Sequence, residues 1–320
     1  MGPAPRHRPD PVQVLSGAAT TALRRGRVLR DLVAFARSGP APLADPPLVS
    51  VIIATYNYSS VLRHAIRSVL RQTYTNFELL VIGDGCTDDS EEVATSFGDA
   101  RVKWLNLEQN VGSQAGPNNA GIERAQGRYV AYLGHDDLWH PWHLAAVVGE
   151  LERKGAATGH GLAELVGPPG SRSKVIAGLS PGERPIGRWV PPTALVHLTE
   201  LGRRVRWRHH TETSDSIDID FNDRLQREVG PPLRVVALTS FKFVSTLRPN
   251  CYVDRPDDEQ AEWSRRLGSE PHLLERELLW LFLHRLSPFH GRLPKQPEPP
   301  PDVERGPWLA ARAKRIRGLG

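Results

Sequence analysis

The chain has 320 residues, 39% of them hydrophobic, a formal net charge of +5 and a mean hydropathy of -0.38. That is enough apolar material for a substantial core, yet no apolar run approaches the roughly 20 residues a membrane span needs, and the N-terminus lacks the apolar stretch of a secretory signal. Cys86 and Cys251 lie far apart in sequence, so a disulfide is not expected and no metal-binding spacing exists; a reducing compartment is the default, and the modest charge does not single out nucleic acid as a partner.

Residues 1–47 form a basic extension. Between Val12 and Arg37, Leu15, Leu23, Leu29, Leu32 and Phe35 recur at helical spacing among Arg24, Arg27 and Arg30, which predicts a helix that packs on the domain or lies on an anionic membrane surface. A proline-punctuated linker follows. Strands are then predicted over Val49–Ala54, Phe77–Ile82, Arg101–Leu107 and Tyr129–Leu133, and helices over Ser59–Gln72, Asp88–Phe97, Gln114–Gln126 and Trp142–Lys154. The first and last of these strand runs, Val49–Ala54 and Tyr129–Leu133, lack polar alternation, as expected where both faces of a parallel sheet are covered. Residues 48–154 therefore read as an α/β unit of Rossmann type. Residues 155–270 lose this regularity; a few strands and loops are expected, then a helix from Ile219 to Arg227. In residues 271–320 an apolar helix is predicted over Leu273–Leu286, residues 291–307 are proline-rich and expected to be mobile, and Arg312, Lys314, Arg315 and Arg317 form a basic tail, solvated or in contact with anionic lipid.

Ligands of open parallel sheets gather beyond the carboxyl ends of the strands. Polar clusters stand at those ends. Asp136-Asp137 closes the fourth strand; two carboxylates there suit a divalent cation that also holds substrate phosphates, whereas an isolated pair would more often cap the next helix. The pair has company. Asp84 and Gly85 follow the second strand, where a carboxylate can accept a base N–H and a glycine lets backbone approach the ligand. Tyr56 after the first strand offers a ring to stack on a base, and the turn-rich Asn110–Ser113 and Pro117–Asn119 segments offer backbone N–H groups to a phosphate.

These pieces in this order resemble the nucleotide-binding half of a family 2 glycosyltransferase. The resemblance covers Val49–Trp142: Val-Ser-Val-Ile-Ile-Ala-Thr-Tyr-Asn, Ser68-Val69-Leu70-Arg71-Gln72-Thr73-Tyr74, Glu78–Ile82 into Asp84-Gly85, Asn110-Val111-Gly112, and the aspartate pair in place of the DXD motif. It implies a GT-A fold, a mixed and mostly parallel sheet flanked by helices, with a helical C-terminal extension. It also implies an inverting transfer from a nucleotide-diphospho sugar, UDP-linked, to a hydroxyl acceptor. Ala54, Thr55 and Tyr56 would contact the base, Asp84 would hydrogen-bond it, and Asn118 would stand at the phosphate-side helix. Asp136 would sit near the ribose, with Asp137 holding Mn2+ or Mg2+ on the diphosphate and Asp136 beside it. The sequence departs from the family's pattern at Gly83, Cys86, Pro117 and His135. His135 would be a third metal ligand or a structural or base-contacting residue.

Inverting transfer also needs a general base for the acceptor hydroxyl. The resemblance places it at Asp218, in Ile217–Leu225, with Asp215 as the second candidate. His209, His210 and Glu212 would line the acceptor pocket or stay as exposed loop residues, and Trp189, Trp207, Tyr252 and Trp263 would stack on a sugar or fill the core. The acceptor stays open between a glycan, a lipid-linked sugar, a small molecule and a protein; a place in cell-surface polysaccharide synthesis, in the cytoplasm or at the inner membrane face, is expected. The domain division is 1–47 extension, 48–154 donor half, 155–270 acceptor and catalytic-base half, 271–320 C-terminal helix and tail. The alternative is a non-catalytic nucleotide-sugar-binding protein of the same fold. A dinucleotide enzyme is excluded because no Gly-x-Gly-x-x-Gly follows the first strand.

Overall fold

The computed structural model describes residues 27, 29–169, 174–176, 190–285 and 298–319. A helix over residues 29–38, α1, precedes a regular alternation: β1 (Val49–Thr55), α2 (Ser59–Leu70), β2 (Phe77–Gly83), α3 (Ser90–Thr95), β3 (Val102–Asn106), α4 (Ala115–Arg124) and β4 (Tyr129–Tyr132). A two-residue β5 (Leu138–Trp139) leads into α5 (His143–Lys154). The second half holds β6 (Thr158–Val166), β7 (Lys174–Ile176), β8 (Leu195–Leu198), α6 (Thr199–Val205), α7 (Ile217–Val229), β9 (Leu233–Phe243), α8 (Cys251–Asp254), α9 (Asp258–Ser269), α10 (Leu273–Arg285) and α11 (Arg305–Arg317).

All strands join one sheet in the order β3-β2-β1-β4-β8-β6-β9-β5, with β7 added on β6. The strands β3, β2, β1 and β4 are parallel; β8 runs antiparallel to both β4 and β6, and β9 returns parallel to β6. The unbroken apolar character of β1 has its cause here. Val49, Val51 and Ile53 enter one core with Leu62, Ile66 and Val147, while Ile52 enters the other with Ile122, Tyr132, Trp207 and Phe221. Alternate side chains point to opposite faces, and both faces are covered. A third cluster, with Leu32, Phe241, Phe243 and Leu274, packs α1 and α10 beneath β9.

The predicted elements of residues 48–154 and α10 agree with the structure to within a few residues at their ends. The Val12–Arg37 helix is described only from its C-terminal part, as α1; residues 12–26, Trp189, Leu286 and residues 291–297 lie outside the described residues. The basic tail is corrected. It is the helix α11, packed against the turns at 210–212 and 245–247 and against α8. Among the described residues no helix is long and apolar enough to cross a membrane.

Candidate active site

The ends of β1, β2 and β4 bring the candidate donor residues together. After β1 the chain turns at Asn57, which has a positive φ of 43°. Its Oδ1 accepts from Thr87 N at 2.8 Å and so ties this turn to the loop after β2. Ala54 and Tyr56 are half-buried there; Thr55 is buried and its hydroxyl meets His135 Nδ1 at 3.1 Å. Asp84 N donates to Thr55 O at 2.8 Å. The Asp84 carboxylate is buried and accepts from Val111 N at 3.0 Å, so it anchors the β3–α4 loop. Burial raises its pKa, opposed by the backbone N–H groups of Val111, Gly112 and Ser113 and by Lys314.

The two glycines before and after Asp84 have different causes. Gly85 has φ +69°, and a Cβ on it would come within 2.5 Å of Asn110 N. Gly83 has no room either. A Cβ would collide with Asn106 Oδ1 and come within 2.9 Å of the Trp104 ring. Asn106 brackets Cys86 instead, accepting from its N and donating to its O, each at 2.8 Å. The departure at Gly83 is thus matched by Asn106 on the neighbouring strand.

Asp136 and Asp137 have opposite surroundings. Asp137 is fully buried: its Oδ1 accepts from Phe243 N at 2.9 Å and its Oδ2 pairs with Lys242 Nζ at 3.0 Å. Burial raises its pKa to about 6, with Lys242 opposing the rise. Burial alone would lower Lys242, but Asp137, Asp136 and Asp218 outweigh it and hold the ammonium above its ordinary value. Asp136 is half-buried, and among the described residues nothing donates to its carboxylate; only its carbonyl is used, by Gln260 Nε2 at 3.2 Å. The expected metal ligand, Asp137, therefore has both oxygens engaged inside the protein, and Asp136 is the carboxylate open to the crevice. His135 is buried with both ring nitrogens occupied, by Thr55 and by Tyr252 OH at 2.9 Å, which leaves no lone pair for a metal. No group of three ligating side chains exists among the described residues. The site nevertheless fits Mg2+ or Mn2+, because such ions are commonly held by one or two carboxylates and the substrate's own phosphates rather than by a protein cage.

The second half contributes α7. Its first turn carries Asp218, whose Oδ1 accepts from Nε2 of Gln114, the residue just before α4, at 2.5 Å and whose charge is felt by Lys242. Asp215 lies just before the helix, accepts from Ser216 N at 2.8 Å and faces Arg305 Nε at 3.5 Å. Asp220 is paired with Arg224. Of the four aspartates between residues 215 and 223, Asp218 stands nearest in electrostatic terms to the Asp136–Asp137–Lys242 group. Asn118 is buried on α4. His209 Nε2 reaches Val111 O at 3.1 Å, which joins the acceptor-side turn to the β3–α4 loop. Of the aromatic candidates, Trp207 stacks on Phe221 in the core with centroids 4.0 Å apart, and Trp263 packs on Phe241. Sequence reasoning missed Lys242, Gln114 and Asn106. A lone cation in the apolar run Ala237–Phe243 was the available signal for Lys242.

Four parallel strands continued by an antiparallel-paired half, with carboxylates gathered at the parallel strands' carboxyl ends, define a GT-A glycosyltransferase fold. Residues 50–168 match the family model Glycosyl transferase family 2. A UDP-Glc:alpha-D-GlcNAc-diphosphoundecaprenol beta-1,3-glucosyltransferase of Escherichia coli, WfgD, is 41% identical over 95 residues, which is 30% of this chain and 37% of that protein. The match spans between 16% and 37% of the length of the first curated relatives. Among solved structures, S. aureus TarS in complex with UDP-GlcNAc matches with a TM-score of 0.53 at 18% identity, covering 75% of this chain and 73% of that one. The mannosyltransferase PcManGT from Pyrobaculum calidifontis, in complex with GDP-Man and Mn2+, matches with a TM-score of 0.50 at 16% identity, covering 93% and 84%. At these identities the structural matches speak for the fold.

Proposed function

We propose that the chain transfers a sugar, with inversion, from a UDP-linked donor to a hydroxyl of a lipid-linked glycan intermediate. The observation that carries the reading is the gathering of Asp84, Asp136 and the Asp137–Lys242 pair at the carboxyl ends of the parallel strands, with Asp218 tied to the start of α4 by Gln114. A UDP donor is supported by the nucleotide in the TarS complex and by the name of WfgD, whose acceptor is lipid-linked.

In this reading Tyr56, with Ala54 and Thr55, meets the base, and Asp84 holds the loop that closes over it. Asp136 faces the diphosphate and would hold Mn2+ or Mg2+; when bound, the ion would neutralise charge developing on the leaving diphosphate. Asp137 positions that turn through Lys242 and Phe243 N rather than touching the ion. The Asp218 carboxylate, oriented by Gln114, takes the acceptor hydroxyl's proton as the oxygen attacks the anomeric carbon. The bond to the nucleoside diphosphate breaks as the new glycosidic bond forms. Residues 48–154 thus serve the donor and residues 155–270 the acceptor and the base.

Asp218→Asn tests the assignment. It should leave UDP affinity unchanged and lower transfer by about two to four orders of magnitude, while Asp215→Asn retains most activity. Equal losses in the two variants, or a loss confined to Asp215→Asn, would move the base.

A further inference from the structure

Helix α11 carries five basic residues, Arg305, Arg312, Lys314, Arg315 and Arg317, and no acidic one. They divide by face. Arg312 and Arg315 are exposed, whereas Lys314 and Arg317 are half-buried and turned toward the strand ends. Lys314 Nζ lies so near Gly112 that a Cβ there would stand 2.8 Å from it, and its charge acts on Asp84 and His210. Arg317 lies over the Tyr252 ring, 6.0 Å from its centroid, and its charge acts on His135. Its Nε is buried without a hydrogen-bond partner. Among the described residues neither Lys314 nor Arg317 has an ion pair. A partly desolvated cation held without a direct ion pair is stabilised when an anion arrives beside it.

The helix is held at both ends of this position. Gly306 packs against the carbonyls of His210, Thr213 and Asp215, where a side chain would collide, and Asn250 N donates to Ile316 O at 2.9 Å. It therefore runs from the acceptor-side turn to α8 and sets its last turn beside the β3–α4 loop and the Thr55–His135–Tyr252 chain. Lys242, the other cation there, is already neutralised by Asp137.

We infer that α11 is part of the donor site and that Lys314 and Arg317 bind the donor's diphosphate. This rests on the donor reading above and adds to it two residues far outside the family 2 match. Calorimetry of the full chain with UDP and with inorganic pyrophosphate, at constant Mn2+, tests it. Lys314→Ala and Arg317→Ala should each weaken both ligands about tenfold, Arg317→Lys should retain most of the affinity, and the double variant Arg312→Ala/Arg315→Ala should stay within about twofold of wild type. Equal weakening by the outward pair would reduce the effect to general charge. Unchanged or tighter binding in the inward variants would make α11 a bystander or a plug. Loss of binding to phosphatidylglycerol vesicles with UDP affinity intact would reassign the two cations to a lipid headgroup. Wild-type protein that binds neither probe would remove the donor reading as well, whereas wild-type binding with unaffected inward variants would remove only the role of α11.

Discussion

Asp136 and Asp137 are adjacent in the chain and separated in chemistry. Asp137 is sealed in an ion pair with Lys242 whose members the sheet end desolvates, so removing one charge leaves the other uncompensated. Asp137→Asn should lower the unfolding free energy by about 3–5 kcal/mol in urea titrations. Asp136→Asn should change stability by no more than about 0.5 kcal/mol, because its half-buried carboxylate accepts no hydrogen bond among the described residues, and should abolish the Mn2+-dependent part of UDP binding. Sequence spacing identified the pair but could not divide its labour. That division depends on Lys242 and Phe243, which stand more than a hundred positions later and reach the turn only through β9. Gly83 is a similar case. Its missing side chain makes sense only beside Asn106, one strand away.

At the scale of elements, β1, β2 and β4 were legible because each is largely apolar and buried on both faces, and α2 and α5 because each has one apolar stripe; β3, at the sheet edge, alternates instead and exposes Lys103 and Asn106. The strand β6 was not legible. Its Gly159, His160, Gly161 and Glu164 interrupt the apolar pattern in sequence, yet all are buried. A Cβ on Gly159 would come within 2.8 Å of Leu151 and 3.0 Å of Leu233 O, so the glycine lets α5 and β9 pack closely on the strand. The helix α7 begins at Ile217, two residues before the position periodicity suggested, and this places Asp218 in its first turn beside α4. The contact from Gln114 across that junction is a positioning contact. Gln114→Ala should lower kcat about tenfold while leaving UDP affinity unchanged, measured by single-turnover transfer alongside calorimetry. A rise in KM for the donor with kcat intact would assign Gln114 to the donor instead.

Across the whole molecule, His135, His143, His160 and His197 are buried, and burial holds each below its ordinary pKa, His143 at about 3 and His197 at about 4. As pH falls below about 6.5 the unfolded chain takes up protons at these positions before the native one does. Stability is therefore full above about pH 6.5 and drains toward pH 4, by at most about 1.4 kcal/mol per pH unit for each histidine. Asp84 and Asp137, raised by burial, act in the opposite direction, since the native state protonates them first. Burial holds His64 and His140 down as well, so the lowered histidines outnumber the two raised aspartates and the net is a loss in acid. Urea midpoints at pH 7, 6 and 5 should fall in that order; a flat profile would mean that the histidines are hydrated or paired in solution.

The donor site is the centre of this account, and thermal shift tests it most directly. The full chain would be melted with UDP, GDP, CDP and dTDP, each with and without Mn2+, beside Asp136→Asn. UDP with Mn2+ should raise the melting temperature by several degrees, the other diphosphates less, and the variant should lose the metal-dependent increment. No stabilisation by any diphosphate, or the same stabilisation without the metal and in the variant, would contradict it.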